Sequence, residues 1–146
     1  MALPLVLPLQ SAGTRHARRQ LYEDALAIIE REYPSELRVD GVAARIFTSR
    51  RSLQRAFTDA GQSFRAEHLR ARLRAAAASL RTNPRQTVRE VALAVGYRQP
   101  AQFAKAFRRE FGVSPAEYRE AAEQQHLRSA LLGTTEGTPG GVPSRA

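Results

Sequence analysis

The side chains best suited to chemistry in this chain are cationic and amide groups that recur at helical spacing in two stretches. In each stretch they lie opposite an apolar stripe, so both sets fall on an outer helix face. The first face carries Arg51, Ser52, Arg55 and Thr58, with Gln54 at its flank, and the second carries Ala101, Gln102, Lys105, Arg108 and Arg109. Neither face includes an acidic residue, and such donor groups suit an anionic partner. The simpler alternative is an ordinary helical hairpin with a solvated basic face.

The net charge supports an anionic partner. The 146 residues carry a formal charge of +9, with 22 arginines and one lysine. Charges outside Arg15–Glu120 cancel, so the whole excess belongs to the part of the chain that is patterned for folding. A strongly basic folded region indicates a polyanionic partner. Arginine bias in a GC-rich genome is the alternative, but it would not keep acids off two particular helix faces.

Several classes of function are excluded by what the sequence lacks. There is no cysteine, so neither disulfides nor thiolate chemistry is expected. His16, His68 and His126 are far apart and have no partners at metal-ligand spacing, and no catalytic constellation is visible. We therefore expect no metal, no cofactor and no enzymatic activity. The apolar start Met1–Leu9 is interrupted by two prolines and is too short to span a bilayer, which predicts a cytoplasmic protein without membrane contact.

The stretch Thr87–Tyr118 has the pattern of three helices joined by two tight turns. Thr87 and Glu90 form an S/T-x-x-E capping box at its start. Gly96 can end the first helix in the left-handed conformation, and Pro100 suits the first turn of the next. Phe103, Ala106, Phe107 and Phe111 then form one buried stripe. Two short helices around a glycine turn predict a helix-turn-helix unit.

The same unit occurs a second time upstream. Val42–Ile46 corresponds to Val91–Val95 at an offset of 49 residues, and Leu53–Phe57 corresponds to Phe103–Phe107 at an offset of 50. Gly61 corresponds to Gly112 at an offset of 51, so the offset grows by one at each turn. Turns tolerate insertions more readily than helices do, which predicts one unit used twice.

These patterns predict an all-α chain of seven helices. The first helix begins near His16 and ends at Tyr33–Pro34, the second covers about Gly41–Ile46 with Asp40 as its cap, and the third runs from its Ser49 cap to about Ala60. The third helix should bury Leu53, Ala56, Phe57 and Ala60. A connector of about Phe64–Arg81 should pack on both halves, and the last helix should run from Ser114–Pro115 toward Gln125, or to Leu132 at the longest. The expected organisation is a flexible segment (1–14), a first helix-turn-helix subdomain (15–63), the connector (64–82), a second subdomain (83–125) and a mostly disordered tail (126–146).

Several motifs resemble the AraC/XylS family of bacterial transcription regulators. Gly96-Tyr97, Phe103, Phe107 and the run Phe111–Arg119 are similar to the family signature, and Arg72–Leu80 is similar to its connector helix. The resemblance covers about Gln20–Arg119. Phe47 departs from it, because relatives often have glycine at this turn, so the turn should be strained or differ in geometry. Glu67 and His68 also depart, since relatives usually have tyrosine and an aliphatic residue there. Pro100 and Ala101 replace side chains that are often polar in relatives.

The resemblance implies two recognition helices that enter adjacent major grooves of double-stranded DNA. It implies base contacts by Arg51, Gln54 and Arg55 in one groove and by Gln102 and Lys105 in the other. The expected phosphate contacts are Ser49, Arg50, Arg98, Gln99, Arg108 and Arg109. It is closest in type to stand-alone, MarA-like members, which implies a monomer on DNA and an activator that recruits RNA polymerase. Two alternatives remain: a sequence-indifferent nucleic-acid-coating protein, and a module that contacts polymerase or another regulator without binding DNA.

Overall fold

The computed structural model of the chain describes residues 8–133, with side chains from residue 12 onward. This part of the chain is all-α, as predicted, with seven helices and no strand among the described residues. The helices are α1 (Pro8–Glu32), α2 (Val39–Arg45), α3 (Arg50–Asp59), α4 (Phe64–Thr82), α5 (Val88–Ala94), α6 (Pro100–Phe111) and α7 (Pro115–Gly133). No helix in this range is both long and apolar enough to cross a bilayer.

Two hydrophobic cores share the long helix α4. The first core joins α1, α2 and α3 to the beginning of α4; its buried members are Ala25, Ile28, Ile29, Val42, Ala43, Leu53, Phe57, Phe64 and Ala71. The second joins α5 and α6 to the rest of α4; its buried members are Leu73, Ala76, Ala77, Leu80, Val91, Ala92, Val95, Tyr97, Phe103 and Phe107. Tyr33, the residue that follows α1, packs against both cores. The expectation that the connector packs on both halves is therefore confirmed.

The helix starts follow the capping chemistry in the sequence at most positions. Ser49 Oγ accepts the Ser52 N–H at 3.1 Å, and Ser63 Oγ accepts the Ala66 N–H at 3.1 Å. Thr87 and Glu90 form the predicted capping box, in which the Glu90 carboxylate accepts the Thr87 N–H at 2.7 Å. Each cap satisfies backbone donors that have no partner inside the helix.

Four expectations about element ends and faces were wrong. Helix α1 begins at Pro8 rather than near His16, because a helix can extend beyond its buried face once that face has anchored it. Asp40 lies in the first turn of α2, and Arg38 is the residue before the helix. Ala60 is exposed, since α3 ends at Asp59. Helix α7 continues to Gly133, one residue beyond the longest extent expected, so residues 126–133 are helical and do not belong to a disordered tail. Residues 1–7 and 134–146, predicted to be flexible, lie outside the described range.

The two helix-turn-helix units end their first helix with the same backbone motif. In the second unit, Gly96 N–H donates to Leu93 O at 3.1 Å and Tyr97 N–H donates to Ala92 O at 2.9 Å. In the first unit, Phe47 N–H donates to Ala44 O at 3.2 Å and Thr48 N–H donates to Ala43 O at 3.0 Å. Both are Schellman motifs, in which the residue after the helix is left-handed. Phe47 takes this place with φ +56°, where the second unit has Gly96 with φ +99°.

Candidate nucleic-acid interface

Helix α3 separates a buried stripe from a polar outer face. Leu53, Ala56 and Phe57 are buried, and the Phe57 ring packs edge-on against Tyr22 of α1 with the centroids 4.9 Å apart. The expected base-contacting residues Arg51, Gln54 and Arg55 are all exposed on the remaining surface, and so is Arg50. The Ser49 hydroxyl caps the helix and also donates to Ser52 Oγ at 2.9 Å. The rigid inner stripe thus holds three donor-bearing side chains in fixed register toward solvent.

Helix α6 repeats this arrangement in the second unit. Phe103 and Phe107 are fully buried, and their ring centroids lie 5.7 Å apart. Phe107 also packs edge-on against Tyr118 of α7, with the centroids 5.3 Å apart. The outer face exposes Gln102, Lys105, Arg108 and Arg109, while Arg98 and Gln99 are exposed just before the helix. Every residue predicted to contact DNA is therefore exposed in the structure.

The cations of the two outer faces differ from many cations elsewhere in the protein. Arg18 pairs with Asp59, Arg19 with Glu23, Arg45 with Glu32 and Arg74 with Glu30, at 2.6–3.1 Å. Within residues 12–133, no ion pair is formed by Arg50, Arg51, Arg55, Arg98, Lys105, Arg108 or Arg109. Their charges therefore remain available to an external anion.

A cleft of about 510 Å³ separates α6 from the first half of α4. Gln102, Lys105 and Arg109 line one wall, and Leu69 and Arg70 lie on the other. Arg70 spans this region: Nη1 donates to Gln62 Oε1 at 2.5 Å, and Nε lies 3.8 Å from Glu110 Oε1 of α6. Arg70 Nη1 also pairs at 3.0 Å with Glu67, a buried carboxylate one turn earlier. The two units are thus linked by charge next to the outer face of α6.

A second junction between the units is formed by the buried Arg72, whose role the sequence analysis missed. Arg72 Nε donates to Tyr33 O at 2.7 Å and Nη2 donates to Ser35 O at 2.9 Å, so the side chain holds the loop after α1. Its guanidinium carbon also lies 5.8 Å from the centre of the Tyr97 ring, within cation–π range. One side chain of α4 therefore contacts the loop of the first unit and the turn of the second. Helical spacing could have indicated it, because Arg72 stands three residues after Leu69 and four before Ala76, on the face of α4 that packs against the cores.

His68 completes this junction. Its Nε2 lies 3.0 Å from Tyr33 O, the same carbonyl that accepts from Arg72, so Nε2 carries the hydrogen. Burial lowers the pKa of His68 below its usual 6.5, and the nearby Arg72 charge lowers it further. A neutral imidazole fits a place beside a buried cation. The unusual pair Glu67 and His68 is thus accommodated by Arg70 on one side and a backbone carbonyl on the other.

Two carboxylates fix the helix starts on either side of α6. The Glu90 carboxylate accepts the Thr87 N–H, and the Glu117 carboxylate accepts the Ser114 N–H, both at 2.7 Å. These hydrogen bonds to the backbone lower the pKa of both carboxyls. These two acids of the second unit are thus engaged in capping. Across the described residues, no group of three or more His, Asp or Glu is placed to hold a metal ion.

Known proteins contain the same pair of helix-turn-helix units. A family model described as a helix-turn-helix domain matches residues 42–121. The chain is 31% identical over 104 residues to the regulatory protein SoxS of Escherichia coli K12, covering 70% of this chain and 96% of SoxS. It is 37% identical over 91 residues to the HTH-type transcriptional regulator MtrA of Neisseria gonorrhoeae; this match covers 62% of the chain but only 30% of MtrA.

Solved structures show the same architecture. The DNA-binding domain of the transcriptional factor AdpA, solved in complex with a target DNA, matches with a TM-score of 0.62 and 32% identity; the match covers 70% of this chain and 96% of that one. A probable AraC family transcriptional regulator from Rhodopseudomonas palustris matches with a TM-score of 0.64 and 27% identity, over 70% of this chain and 97% of that one. The doubled helix-turn-helix unit, its exposed cationic faces and these similarities lead to one conclusion: the chain belongs to the AraC/XylS family of DNA-binding transcription regulators.

Proposed function

We propose that this protein binds a specific DNA sequence by placing α3 and α6 in two adjacent major grooves on one face of the duplex. The observation that carries the proposal is the equivalence of the two units. Each presents exposed amides and unpaired cations on one helix, backed by a buried aromatic or aliphatic stripe. Successive major grooves on one face recur about every 34 Å along B-DNA. The 19 residues of α4 extend about 28 Å at 1.5 Å per residue, a suitable length for a spacer.

The proposed base contacts are Arg51, Gln54 and Arg55 in one groove and Gln102 and Lys105 in the other. Arginine and lysine can donate two hydrogen bonds to guanine O6 and N7, and glutamine can pair with adenine N6 and N7. Arg50, Arg98, Gln99, Arg108 and Arg109 would contact phosphates, which set position without selecting a sequence. Ser49 would also contact a phosphate, with its oxygen accepting the capping hydrogen bond and its hydroxyl hydrogen donating to the DNA.

We propose further that one chain occupies one asymmetric site, since both recognition helices belong to the same polypeptide. Gln62, Arg70 and Glu110 on one side and Tyr33, Arg72 and Tyr97 on the other tie the units together, which supports a fixed spacing. By analogy with MarA-like members, the protein would act in the cytoplasm as an activator that recruits RNA polymerase.

The test is a binding titration with a DNA site selected by the protein itself. A duplex of about 20 base pairs, two helical turns, would be enriched from a random library over several rounds. Its affinity would then be compared with that of a scrambled duplex at two salt concentrations. We expect the selected duplex to bind at least about 10³-fold more tightly, as specific DNA-binding proteins do. Equal affinity for both duplexes would instead support the alternative of a sequence-indifferent coating protein.

A further inference from the structure

Phe47 is the most exposed large apolar side chain among the described residues. Its side chain is 98% exposed, whereas the next most exposed, Leu132 and Leu131 of α7, are 75% and 74% exposed. It lies in neither core, and it makes none of the ring–ring contacts that engage Phe57, Phe64, Phe103, Phe107 and Phe111. The ring therefore contributes nothing to the packing of the isolated protein.

The backbone at Phe47 makes this exposure more informative. Its φ of +56° is positive, and no other residue except glycine has a positive φ within residues 8–133. A left-handed conformation is unfavourable for a bulky L-residue, and glycine adopts it without that penalty, as Gly96 does at the equivalent position. Strained conformations of this kind cluster at functional sites. A residue that strains the fold and packs against nothing in it is best explained by a contact outside it.

The position of Phe47 identifies the partner. It stands two residues before Ser49, the N-cap of α3, and three before Arg50. Arg50 and Arg51 are exposed and unpaired, so the ring lies beside a cationic surface rather than within an apolar patch. In helix-turn-helix proteins the N-terminal residues of the recognition helix contact base edges. The turn that leads into α3 is then close to the same groove, and an anionic duplex fits the surrounding charge.

We infer that Phe47 is a DNA-contacting residue, which packs its ring on an apolar part of the duplex at the edge of the first major groove. Two such surfaces are present there: the C5-methyl group of thymine, which phenylalanine can contact, and the C–H edge of a deoxyribose. This inference rests on the proposed function, and it adds an apolar contact to an interface otherwise made of cations and amides.

The experiment compares variants that lack the ring with variants that keep it. Phe47→Gly and Phe47→Asn remove the ring with residues that tolerate a positive φ; Phe47→Tyr keeps it. The probe is the duplex of about 20 base pairs enriched with the wild-type protein. We expect Phe47→Gly and Phe47→Asn to bind it about tenfold more weakly, equivalent to 1.4 kcal/mol, and Phe47→Tyr to bind within about twofold of wild type. Leu127→Ala, which removes an exposed apolar side chain on α7, is the control and should bind unchanged.

Thermal unfolding separates a DNA contact from a structural role. The unfolding midpoint of Phe47→Gly should stay the same or rise by a few °C, because glycine relieves the left-handed strain. A fall in stability that parallels the loss of affinity would show a structural role and overturn the inference. Replacing single thymines of the duplex by deoxyuridine identifies the surface contacted. If Phe47 contacts a thymine methyl group, one replacement should weaken DNA binding by wild type but not by Phe47→Gly. If it contacts a deoxyribose, no replacement should have this selective effect.

Two controls keep this result distinct from the proposed function. If wild type binds the selected duplex specifically, Arg55→Ala weakens binding and both ring-less variants bind like wild type, then the proposed function holds and the Phe47 inference is wrong. The ring would then face a protein partner. If wild type itself shows no preference for the selected duplex, the proposed function fails first.

Discussion

At the scale of single residues, the arginines of this protein occupy two kinds of surface. Some are paired with carboxylates, such as Arg45 with Glu32 at 2.6 Å. Others, including Arg55 on α3 and Arg108 in the last turn of α6, are exposed without an ion pair in the described part of the chain. An unpaired cation opposite a buried stripe is available to DNA, and under the proposed function it would contribute specificity if it contacts a base but not if it contacts a phosphate.

The first prediction separates these two roles. Arg55→Ala should lose about 1–3 kcal/mol on the selected duplex and relax preference at one base position, because a base contact discriminates between sequences. Arg108→Ala should weaken selected and scrambled duplexes alike and lower the salt slope by about one unit, since a phosphate contact releases about one counterion. Both would be titrated at several salt concentrations, with the exposed Arg128→Ala on α7 as the control. Equal losses for Arg55→Ala on both duplexes would refute its base contact.

The second prediction concerns His68 and pH. Because burial lowers the pKa of His68 below 6.5 in the folded protein, the unfolded chain binds the proton more readily. Stability from the neutral imidazole is therefore full above pH 6.5 and is lost as the pH falls below that value toward the folded-state pKa. In urea unfolding, the free energy of unfolding of wild type should decrease as the pH is lowered from about 6.5 to about 5. His68→Gln, which keeps an N–H for Tyr33 O, should lose clearly less over this range.

The carboxylates act in a separate pH range, which provides a control. The folded-state pKa values of Glu90 and Glu117 are lowered, so the stability they contribute is lost only as the pH falls below their ordinary value of 4.5. Glu90→Gln should thus leave the change between pH 6.5 and pH 5 as large as in wild type. An unchanged decline in His68→Gln would mean that another group titrates there.

At the scale of elements, the turns determine how α3 packs against α2 and how α6 packs against α5. Gly96, Gly112 and Gly61 all have positive φ, yet only the turn at Gly96 is crowded. A Cβ added at Gly96 would collide with the carbonyl oxygen of Pro34 and would lie 3.0 Å from the guanidinium carbon of Arg72. The turn before α6 is therefore also a packing surface between the two units.

The third prediction compares two glycines with different surroundings. Gly112→Ala should cost about 1–2 kcal/mol, because its added Cβ meets only open space and the penalty is the left-handed conformation alone. Gly96→Ala should cost about 1–3 kcal/mol more, since backbone or Arg72 must move to relieve the overlap. Urea unfolding of both variants measures the difference. Equal losses in the free energy of unfolding would show that Pro34 and Arg72 can move away from the added Cβ without penalty.

At the scale of the whole molecule, α4 is both a member of two cores and the spacer between α3 and α6, the two proposed recognition helices. The buried Arg72 links the two units, because its guanidinium donates to two backbone carbonyls of the first unit and lies against the Tyr97 ring of the second. Only 9% of its surface is exposed, so water has little access to replace its hydrogen bonds to the carbonyls. The rigidity of this junction should determine how strictly the protein measures the distance between two grooves.

The fourth prediction tests that rigidity. Arg72→Met should lower the free energy of unfolding by about 1.5–3 kcal/mol, since charge-assisted hydrogen bonds to buried carbonyls are lost. Arg72→Met should also weaken binding to the selected duplex. Inserting one base pair between the two half-sites should then lower the affinity of Arg72→Met by a smaller factor than it lowers that of wild type. Arg74→Met, on the same helix but at an exposed ion pair with Glu30, is the matched control and should change little. If insertion remains as costly in Arg72→Met as in wild type, Arg72 does not set the spacing.

The fifth prediction concerns stoichiometry. Sedimentation of the protein with the selected duplex should give one chain per site of about two helical turns, because both recognition helices lie in one chain. A complex that requires two chains would contradict the monomer proposal, whereas the fold and the single-residue predictions would be unaffected.

Local chemistry in the sequence was sufficient for most of the fold. The capping box at Thr87, the Ser49 cap and the glycine at residue 96 each act within a few residues, and the apolar stripes of α3 and α6 follow the helical repeat. The repeat of the unit then predicted two equivalent outer faces, and their residues are exposed as expected except for the half-buried Ser52. Such features are visible in the sequence because both partners of each interaction lie close together along the chain.

The tertiary structure alone decided which polar residues became structural. Arg72 and His68 both bind the carbonyl of Tyr33, more than 30 residues earlier, and their burial depends on how α1 meets α4. Asp40 looked like a cap, but α2 begins one residue before it, and helices α1 and α7 extend past their predicted ends. At residue 47 the family resemblance favours glycine. Only the structure showed that Phe47 adopts the left-handed backbone conformation there while its ring remains in solvent. These outcomes depend on contacts between distant segments, whose geometry no local pattern contains.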